Sequence, residues 1–454
     1  MAERLQDIAD MQRSLRPSAC PGLFRIVPAR DGGLCRLRIP LGCLSAGQAR
    51  AIADAAARFG SGIADVTNRA NLQLRGIAPE AEPALIEALL RAGLGPPRSD
   101  TDDIRNVMVS PLAGIDPSQD TDVLPLARGL LHALETEPAY RGLSPKFGLL
   151  VDGGESVAAI DHPHDIWLAS VPGGRAFALG IAGCPPVAAD DATPFLLVAP
   201  ERAGTAAATA LAVFLETASA DKDATRMRHL LARTTRDMLL SELARRIDGA
   251  ALSDAATSGW HRRPVDPQGH IGRRPQRQDG LETVGAVPPV GRLSPAGLHA
   301  IADIAERFGG GELRLTPFRS LLLPAVPSRH AAAAAAALAG IGMICDPAAP
   351  LARMVACAGL AGCLAARAET KTDAVALAAL MRTGTEAGIH LSGCEKSCAM
   401  PNTADVTLVA TAPGRYDLFR RNASGGNRFG DRHGRALALA EIADELRARD
   451  GTEC

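Results

Sequence analysis

Two stretches of the chain repeat one order of apolar and polar positions. Residues 44–74 read LSAGQARAIADAAARFGSGIADVTNRANLQL, and residues 293–323 read LSPAGLHAIADIAERFGGGELRLTPFRSLLL. A constant offset of 249 residues pairs Leu44 with Leu293, Ile52 with Ile301, Asp54 with Asp303, Arg58 with Arg307, Phe59 with Phe308 and Thr67 with Thr316. Each copy predicts a strand, a helix and a second strand. The first strand spans Cys35–Ile39 in copy one. Ser45 or Ser294 caps a helix that runs to Arg58 or Arg307. Glycines at 60 and 62, and at 309 and 311, then end the helix, because glycine accepts the left-handed conformation found there. An alternating apolar strand follows. A β-α-β unit of this kind cannot cover its own sheet, so the two copies are expected to pack together.

The wide separation implies a larger unit after each copy. Between residues 100 and 250 the pattern predicts strands at 147–151, 157–160 and 194–198 and amphipathic helices at 122–137, 203–218 and 229–246. Residues 251–284 contain HRRPVDPQGHIGRRPQRQDG, which has no apolar periodicity and reads as a linker. The expected organisation is a half-domain at 1–85, a mixed α/β domain at 95–250, the linker, a second half-domain at 285–345, and a final α/β domain at 346–454. The fold class is α/β (α+β), with duplicated half-domains each followed by a mixed domain.

Composition removes several function classes. Net charge is −1, so nothing global attracts nucleic acid or an anionic membrane. Aromatic residues are only 3% of the chain, too few for a base-stacking platform. The first twenty residues mix charges throughout and lack the apolar stretch of a signal peptide. No apolar run reaches the roughly 18 residues that span a bilayer. A cytoplasmic protein is expected, and reducing conditions there argue against ten cysteines forming disulfides. VDGGESV (151–157) is too short for a dinucleotide fingerprint, so an external electron-donating reductase is expected for any redox role.

Four cysteines stand apart from the rest: Cys357 and Cys363, then Cys394 and Cys398. The spacing is C-x5-C, thirty residues, C-x3-C. Four thiolates converging on a soft metal core is what an iron–sulfur cubane requires. ACAGLAGC can bend around a cluster, residues 365–387 read as a helix returning the chain to the same place, and a helical turn would put Cys394 and Cys398 on one side. Two plainer readings stand beside this one. Buried free cysteines are common core residues. Structural zinc uses pairs spaced by two to four residues, which the x5 pair fits poorly.

At HLSGCEKSCAMP (390–401) the chain resembles the sirohaem-dependent sulfite and nitrite reductases, whose half-domains are called ferredoxin-like. VTNRANLQLRGI (66–77) is similar to the family strand that presents an arginine over the tetrapyrrole, which implies that role for Arg69. IRNVMVSP (104–111) implies a second arginine, Arg105. SPKFGLLVD (144–152) resembles a segment that carries two lysines in sulfite reductases. Here the first is Lys146, and glycine, Gly148, stands in the second place. By position Cys398 corresponds to the cysteine that bridges to sirohaem iron. Loss of a lysine weakens the reduction of a small anion, while glycine makes room for a bulky ligand. With RPSACPGLFR near the start, this resembles one branch of the superfamily, the precorrin-3B synthases. That resemblance implies a tetrapyrrole substrate, precorrin-3A, hydroxylated by O2 at C20 with γ-lactone formation in aerobic cobalamin biosynthesis. It also implies a [4Fe–4S] cluster and a mononuclear non-haem iron. A sirohaem-dependent reductase and a non-catalytic tetrapyrrole or iron–sulfur binding protein are the other readings.

A macrocycle bearing many carboxylates needs a cleft lined by Arg and Lys. Arg69, Arg75, Arg105, Lys146 and Lys396 are the substrate-binding candidates. Arg420, Arg421 and Arg428, around a Gly-Gly loop, could join them or be solvated surface charges. Mononuclear iron typically takes two histidines and a carboxylate. DHPHD supplies His162 and His164 with Asp161 and Asp165, although a polar turn around Pro163 explains the same residues. His390 could serve as an iron ligand or as a donor to a cluster sulfur.

Overall fold

The computed structural model describes residues 20–188, 194–219, 221, 223–252, 260–381, 387–400, 402–422 and 428–450. Gly425 and Gly426, expected between Arg421 and Arg428, lie outside these residues.

Two five-stranded sheets carry the repeats. One has the order Val27–Ala29, Gly32–Leu37, Leu72–Ile77, Ala64–Val66, Arg292–Leu293. The other has the order Gly272–Pro275, Leu281–Ala286, Leu321–Pro327, Glu312–Leu315, Cys43–Ser45. The last strand of each sheet therefore comes from the other copy. Arg292 pairs with Asp65, and Cys43 with Arg314, both in antiparallel register. The chain leaves its own sheet through a tight turn at Leu41–Gly42 (φ 52° and 75°) or Val290–Gly291 (φ 50° and 70°). Left-handed backbone also recurs at Gly62 and Gly311, Ala70 and Arg319, and Gly76 and Ala325, all at the repeat's own offset.

The helices Ala46–Phe59 and Pro295–Phe308 follow these turns. Ser45 Oγ accepts from Gln48 N at 3.1 Å while Gln48 Oε1 accepts from Ser45 N at 3.0 Å, a reciprocal cap. Ser294 Oγ accepts from Gly297 N at 3.0 Å. Ala53, Ala56, Ala302 and Ala305 are buried with Ile52 and Ile301, so small side chains let the helices sit close over one shared core. The rim of this contact is charged, with Arg50 bonded to Asp303 at 2.6 Å and Glu306 at 2.7 Å.

Each half-domain leads into an α/β domain with its own core. In the first, Val107–Val109, Leu149–Asp152 and His164–Ser170 are parallel, and Phe177–Gly183 is antiparallel. In the second, Met354–Ala356, Ile389–Ser392 and Val406–Ala412 are parallel, and Arg415–Arg420 is antiparallel. The α/β domains thus repeat one another too.

Four sequence expectations need correction. Residues 157–160 are buried but join no sheet; their apolar side chains fill the core while Ser110 Oγ donates to Val157 O at 2.6 Å. The helix expected at 229–246 is two helices, Met227–Leu230 and Arg236–Arg246, because Thr235 caps the second. The helix expected at 365–387 covers Thr370–Leu380, with 382–386 outside the described residues. The described part of the linker is not loose. It holds the strands Ala251–Leu252 and Gly272–Pro275 and most of Leu281–Ala286, and Arg262 is buried, pairing with Asp152 at 2.6 and 3.0 Å. Among the described residues, no helix is long and apolar enough to cross a membrane.

Candidate functional site

The first and third cysteines of the cluster sit where two adjacent parallel strands end. Ala356 is in register with Leu391, so Cys357 follows one strand as Gly393 and Cys394 follow the other, which ends at Ser392. Carboxyl ends of parallel strands are the usual site of ligands in such sheets. Gly393 N donates to Cys357 Sγ at 3.2 Å. A Cβ at position 393 would stand 2.8 Å from Ala366 Cβ and 3.3 Å from that sulfur, so only glycine lets the strands close here. The loop after Cys357 folds back through Arg367 N to Gly393 O, 2.8 Å, and Leu360 N to Ala368 O, 2.9 Å, which carries Cys363 toward Cys394. Cys394–Cys398 is a turn with left-handed Ser397 (φ 53°), not the helical turn expected.

The Cys398 thiol feels the other three. Cys398 is pushed up by burial and then by Cys394, Cys363 and Cys357, while Lys396 opposes the shift. A thiol raised by neighbouring sulfurs gives up its proton most readily to a cationic metal centre that the sulfurs share. Among the described residues no three His, Cys, Asp or Glu side chains are gathered closely enough for one metal ion. The cysteine arrangement is therefore more open than a structural zinc site, and its donor set and N–H···S bond fit a cluster.

A narrow cleft lies between the first half-domain and the first α/β domain. It is lined by Arg69, Arg105, Asn106, Gly148, Pro163 and His164, among others. Below it, the buried Asp102 carboxylate accepts from Arg38 at 3.2 Å, Arg105 at 3.0 Å and Leu23 N at 2.9 Å. Arg38 also pairs with Asp103 at 3.3 Å, so these guanidiniums sit in a shared carboxylate network. Asn106 Nδ2 donates to Pro145 O and Phe147 O, both at 3.1 Å, which fixes the segment bearing Lys146 and Gly148. Arg69 has no ion-pair partner among the described residues, and burial with Arg226 and Arg38 lowers it to about 10. An unpaired guanidinium in a cleft is an anion site in waiting.

The structure separates the candidates. Arg69 and Arg105 share the cleft, although Arg105 is also held by Asp102 and lies 3.7 Å from Glu135. Arg75 is already spent: it pairs with Asp31 at 2.7 and 3.0 Å and donates to Gly362 O at 2.7 Å. Its expected substrate role gives way to clamping the loop of Cys363, and a side chain at Gly362 would run into its guanidinium. Lys146 is exposed and outside the cleft lining, and Lys396 is exposed beside Cys398. Arg420 donates to Glu445 O at 3.2 Å. Arg428 donates to Lys396 O and braces the cysteine loop, while Arg421 bonds to Thr403 O beyond it.

The expected mononuclear iron does not fit the DHPHD segment. The rings of His162 and His164 stand 4.9 Å apart, and each has an unpartnered Nδ1. Asp165, however, is consumed by Arg226 at 2.8 and 2.9 Å, Met227 N at 2.8 Å and Gly148 N at 2.9 Å. Asp161 accepts from Asn402 at 2.8 Å. Burial, followed by Arg69, lowers His162 to about 4; burial, then His162 and Arg69, holds His164 well below the ordinary imidazole range. Both rings stay neutral at neutral pH. His390, buried in the strand before Cys394, has an unpartnered Nε2 and is lowered to about 3 by burial, Arg319 and Arg428.

Sequence reasoning missed Arg36. Burial with Arg38 and Arg69 lowers it to about 10, and its Nε has no partner. The alternation in LCRLRI, which sets two arginines on one face of an extended segment, was the available signal.

Comparisons with known proteins agree with this architecture. Residues 27–92 and 274–341 match the family described as nitrite/sulfite reductase ferredoxin-like half domain, and residues 100–249 match the nitrite and sulphite reductase 4Fe-4S domain. A precorrin-3B synthase from Sinorhizobium sp is 30% identical over 450 residues, 96% of this chain and 90% of that protein. The chloroplastic ferredoxin–nitrite reductase of Zea mays is 30% identical over 82% of this chain and 68% of its own length. The ferredoxin–nitrite reductase of Leptolyngbya laminosa is 31% identical over 86% of this chain and 79% of its own length. The solved structure of the Mycobacterium tuberculosis NirA protein superposes with a TM-score of 0.72 at 22% identity, over 91% of this chain and 79% of that one, a likeness of fold.

Proposed function

Since the chain belongs to the nitrite and sulphite reductase family, we propose that it is a monooxygenase of the precorrin-3B synthase type, converting precorrin-3A to precorrin-3B. Cys357, Cys363, Cys394 and Cys398 hold its [4Fe–4S] cluster, and the macrocycle occupies the cleft beside Arg69. The observation that carries this reading is Gly148. It lines the cleft next to His164, where the resembling reductases place a second lysine, and leaves that wall open. Collinearity with the Sinorhizobium relative over nearly both full lengths points the same way.

The overall reaction requires two electrons and two protons. One oxygen atom of O2 enters the macrocycle at C20, the other leaves as water, and a ring acetate closes the lactone. When bound, the cluster supplies single electrons from an external carrier protein. The chain's own residues do the rest of the binding. Arg69, unpaired, takes a peripheral carboxylate, with Arg36 adding positive field behind it. Asp165 holds the backbone of Gly148 through its N–H, so the open wall is rigid. His164 stays neutral and offers a ring nitrogen rather than a charge to the cleft.

A second reading, a sirohaem-dependent reductase, is favoured by one observation: Arg69 and Arg105 share the cleft, as both would beside a bound tetrapyrrole. Anaerobic purification followed by visible and EPR spectra separates the two. Cluster signals without a bound chlorin, and turnover of added precorrin-3A with O2 to the hydroxylated lactone, are expected. Tightly bound sirohaem with nitrite or sulfite turnover would overturn the proposal in favour of the second reading. Ligand binding with no oxygen consumption would leave only a binding protein.

A further inference from the structure

The turn that presents Arg69 in the first copy has a counterpart in the second, built from different residues. Phe318 stands at the position equivalent to Arg69, and Arg319 at that of Ala70. The backbone is the same: Thr316 N bonds to Ser320 O at 3.0 Å, and Arg319 is left-handed (φ 60°), as Ala70 is (φ 53°). Left-handed backbone at a long branched-free side chain is uncommon and is retained where the surroundings demand it. Moving the arginine by one residue sends it elsewhere. Phe318 stacks on His270, ring centroids 4.7 Å apart and 5° from parallel. Arg319 turns to the cysteine loops.

Its guanidinium donates to Ala399 O, the carbonyl next to Cys398. It has no carboxylate within ion-pair distance among the described residues. Its charge is felt first at Asp65 and then at Cys357, and it depresses His390 in the strand that leads to Cys394. Gly291, the counterpart of Gly42, leaves space for it: a Cβ there would lie 3.1 Å from Arg319 Cδ. The cation therefore borders the segments that carry three of the four cysteines. A positive charge with no carboxylate in direct contact, in a partly dry site, favours whichever redox state carries more negative charge.

We infer that Arg319 is a positioning residue for the cluster, one whose charge raises the cluster's reduction potential by stabilising its reduced form. This rests on the assignment of the four cysteines made above. One electron enters the cluster from the carrier, no bond forms or breaks at Arg319, and the residue stays protonated throughout.

The test is an EPR-monitored redox titration of the full-length, cluster-loaded protein, with iron and sulfide content measured in parallel. Arg319→Gln keeps a donor for Ala399 O and removes the charge; Arg319→Lys keeps the charge. Arg319→Gln is expected to shift the reduction equilibrium at least tenfold toward the oxidised form, about 59 mV for a one-electron couple. Arg319→Lys is expected to restore most of it. An intact cluster in Arg319→Gln at the wild-type potential overturns the inference, and so does a lysine variant that behaves like glutamine. If Arg319→Gln loses its cluster, the lysine variant decides: an unshifted potential with full iron supports the role of charge, and a shift as large as the loss of charge predicts refutes it. Wild-type protein that assembles no cluster fails the cysteine assignment itself, a result distinct from any of these. The potential is read without substrate, so it is independent of which reaction the cleft performs.

Discussion

Replacing Gly148 by lysine separates the two readings of the cleft in one protein. A Cβ at this position meets His164 Cδ2 at 3.5 Å, Asn106 O at 3.9 Å and Lys146 O at 4.0 Å, all ordinary contacts. Gly42 differs, since its Cβ would stand 2.6 Å from Leu315 O on backbone with φ 75°. Gly148→Lys also keeps the N–H that Asp165 accepts. The folded state should accept the change, and the unfolded chain loses some freedom, so stability should stay within about 1 kcal/mol of wild type. The cleft is affected far more. A new ammonium on the order of 8 Å from Arg69, at an effective dielectric near 20, repels it by about 2 kcal/mol until an anion enters. The side chain also fills the wall that the macrocycle is proposed to use. Tetrapyrrole affinity should fall at least tenfold, equivalent to about 1.4 kcal/mol, while binding of a small anion such as sulfite should tighten. Denaturant unfolding checks the first expectation, and absorbance titration with precorrin-3A and with sulfite checks the second. A folded variant that binds precorrin-3A as wild type does would refute the reasoning about Gly148.

Other expectations follow from the same geometry. Arg69→Met should weaken tetrapyrrole binding about tenfold without lowering Tm, because the guanidinium has no ion-pair partner among the described residues to strand; a drop in Tm with unchanged binding would count against it. Arg75→Met should cost on the order of 3 kcal/mol by unpairing Asp31 and freeing Gly362 O, and the cluster should be lost faster under air, as followed by visible absorbance. His270 is lowered to about 4 by burial. It contributes fully above the unfolded value near 6.5, and that contribution is lost as pH falls toward 4. Wild type should therefore lose about 2 kcal/mol relative to His270→Phe between pH 7 and 5; parallel stability curves for the two proteins would contradict this.

The half-domains were legible because an amphipathic helix, a glycine stop and a threonine-bearing strand recur in order, and each is a local signal. Phe59 and Phe308 sit at matching helix ends for that reason. The strand exchange was not legible: Cys43–Ser45 is three residues long, and its partner, Glu312–Leu315, is chosen by the tertiary fold. The α/β domains were expected as a pair, one after each half-domain, from the separation of the half-domains and the resemblance and not from a visible repeat, because their sheets share topology rather than side-chain order. Within the site, Arg69 and Arg105 were found by motif and share a cleft. Arg75 was misread because its acceptors, Asp31 and Gly362 O, lie 44 and 287 residues away. The DHPHD segment looked like a metal site because composition cannot show that Asp165 already serves Arg226 and two backbone amides. Arg319 was unreadable for a similar reason, since the phenylalanine before it occupies the position the repeat assigns to arginine.

The exchanged strands also govern how the chain comes off the ribosome. The first sheet lacks its outer strand until Arg292–Leu293 has been made. At roughly 5–20 residues per second, the strand Ala64–Val66 waits on the order of ten seconds or more with an open edge. An uncovered edge is a template for pairing with other chains. The nascent protein therefore passes through a long interval of vulnerability, and a fragment ending before residue 292 would stay in it permanently.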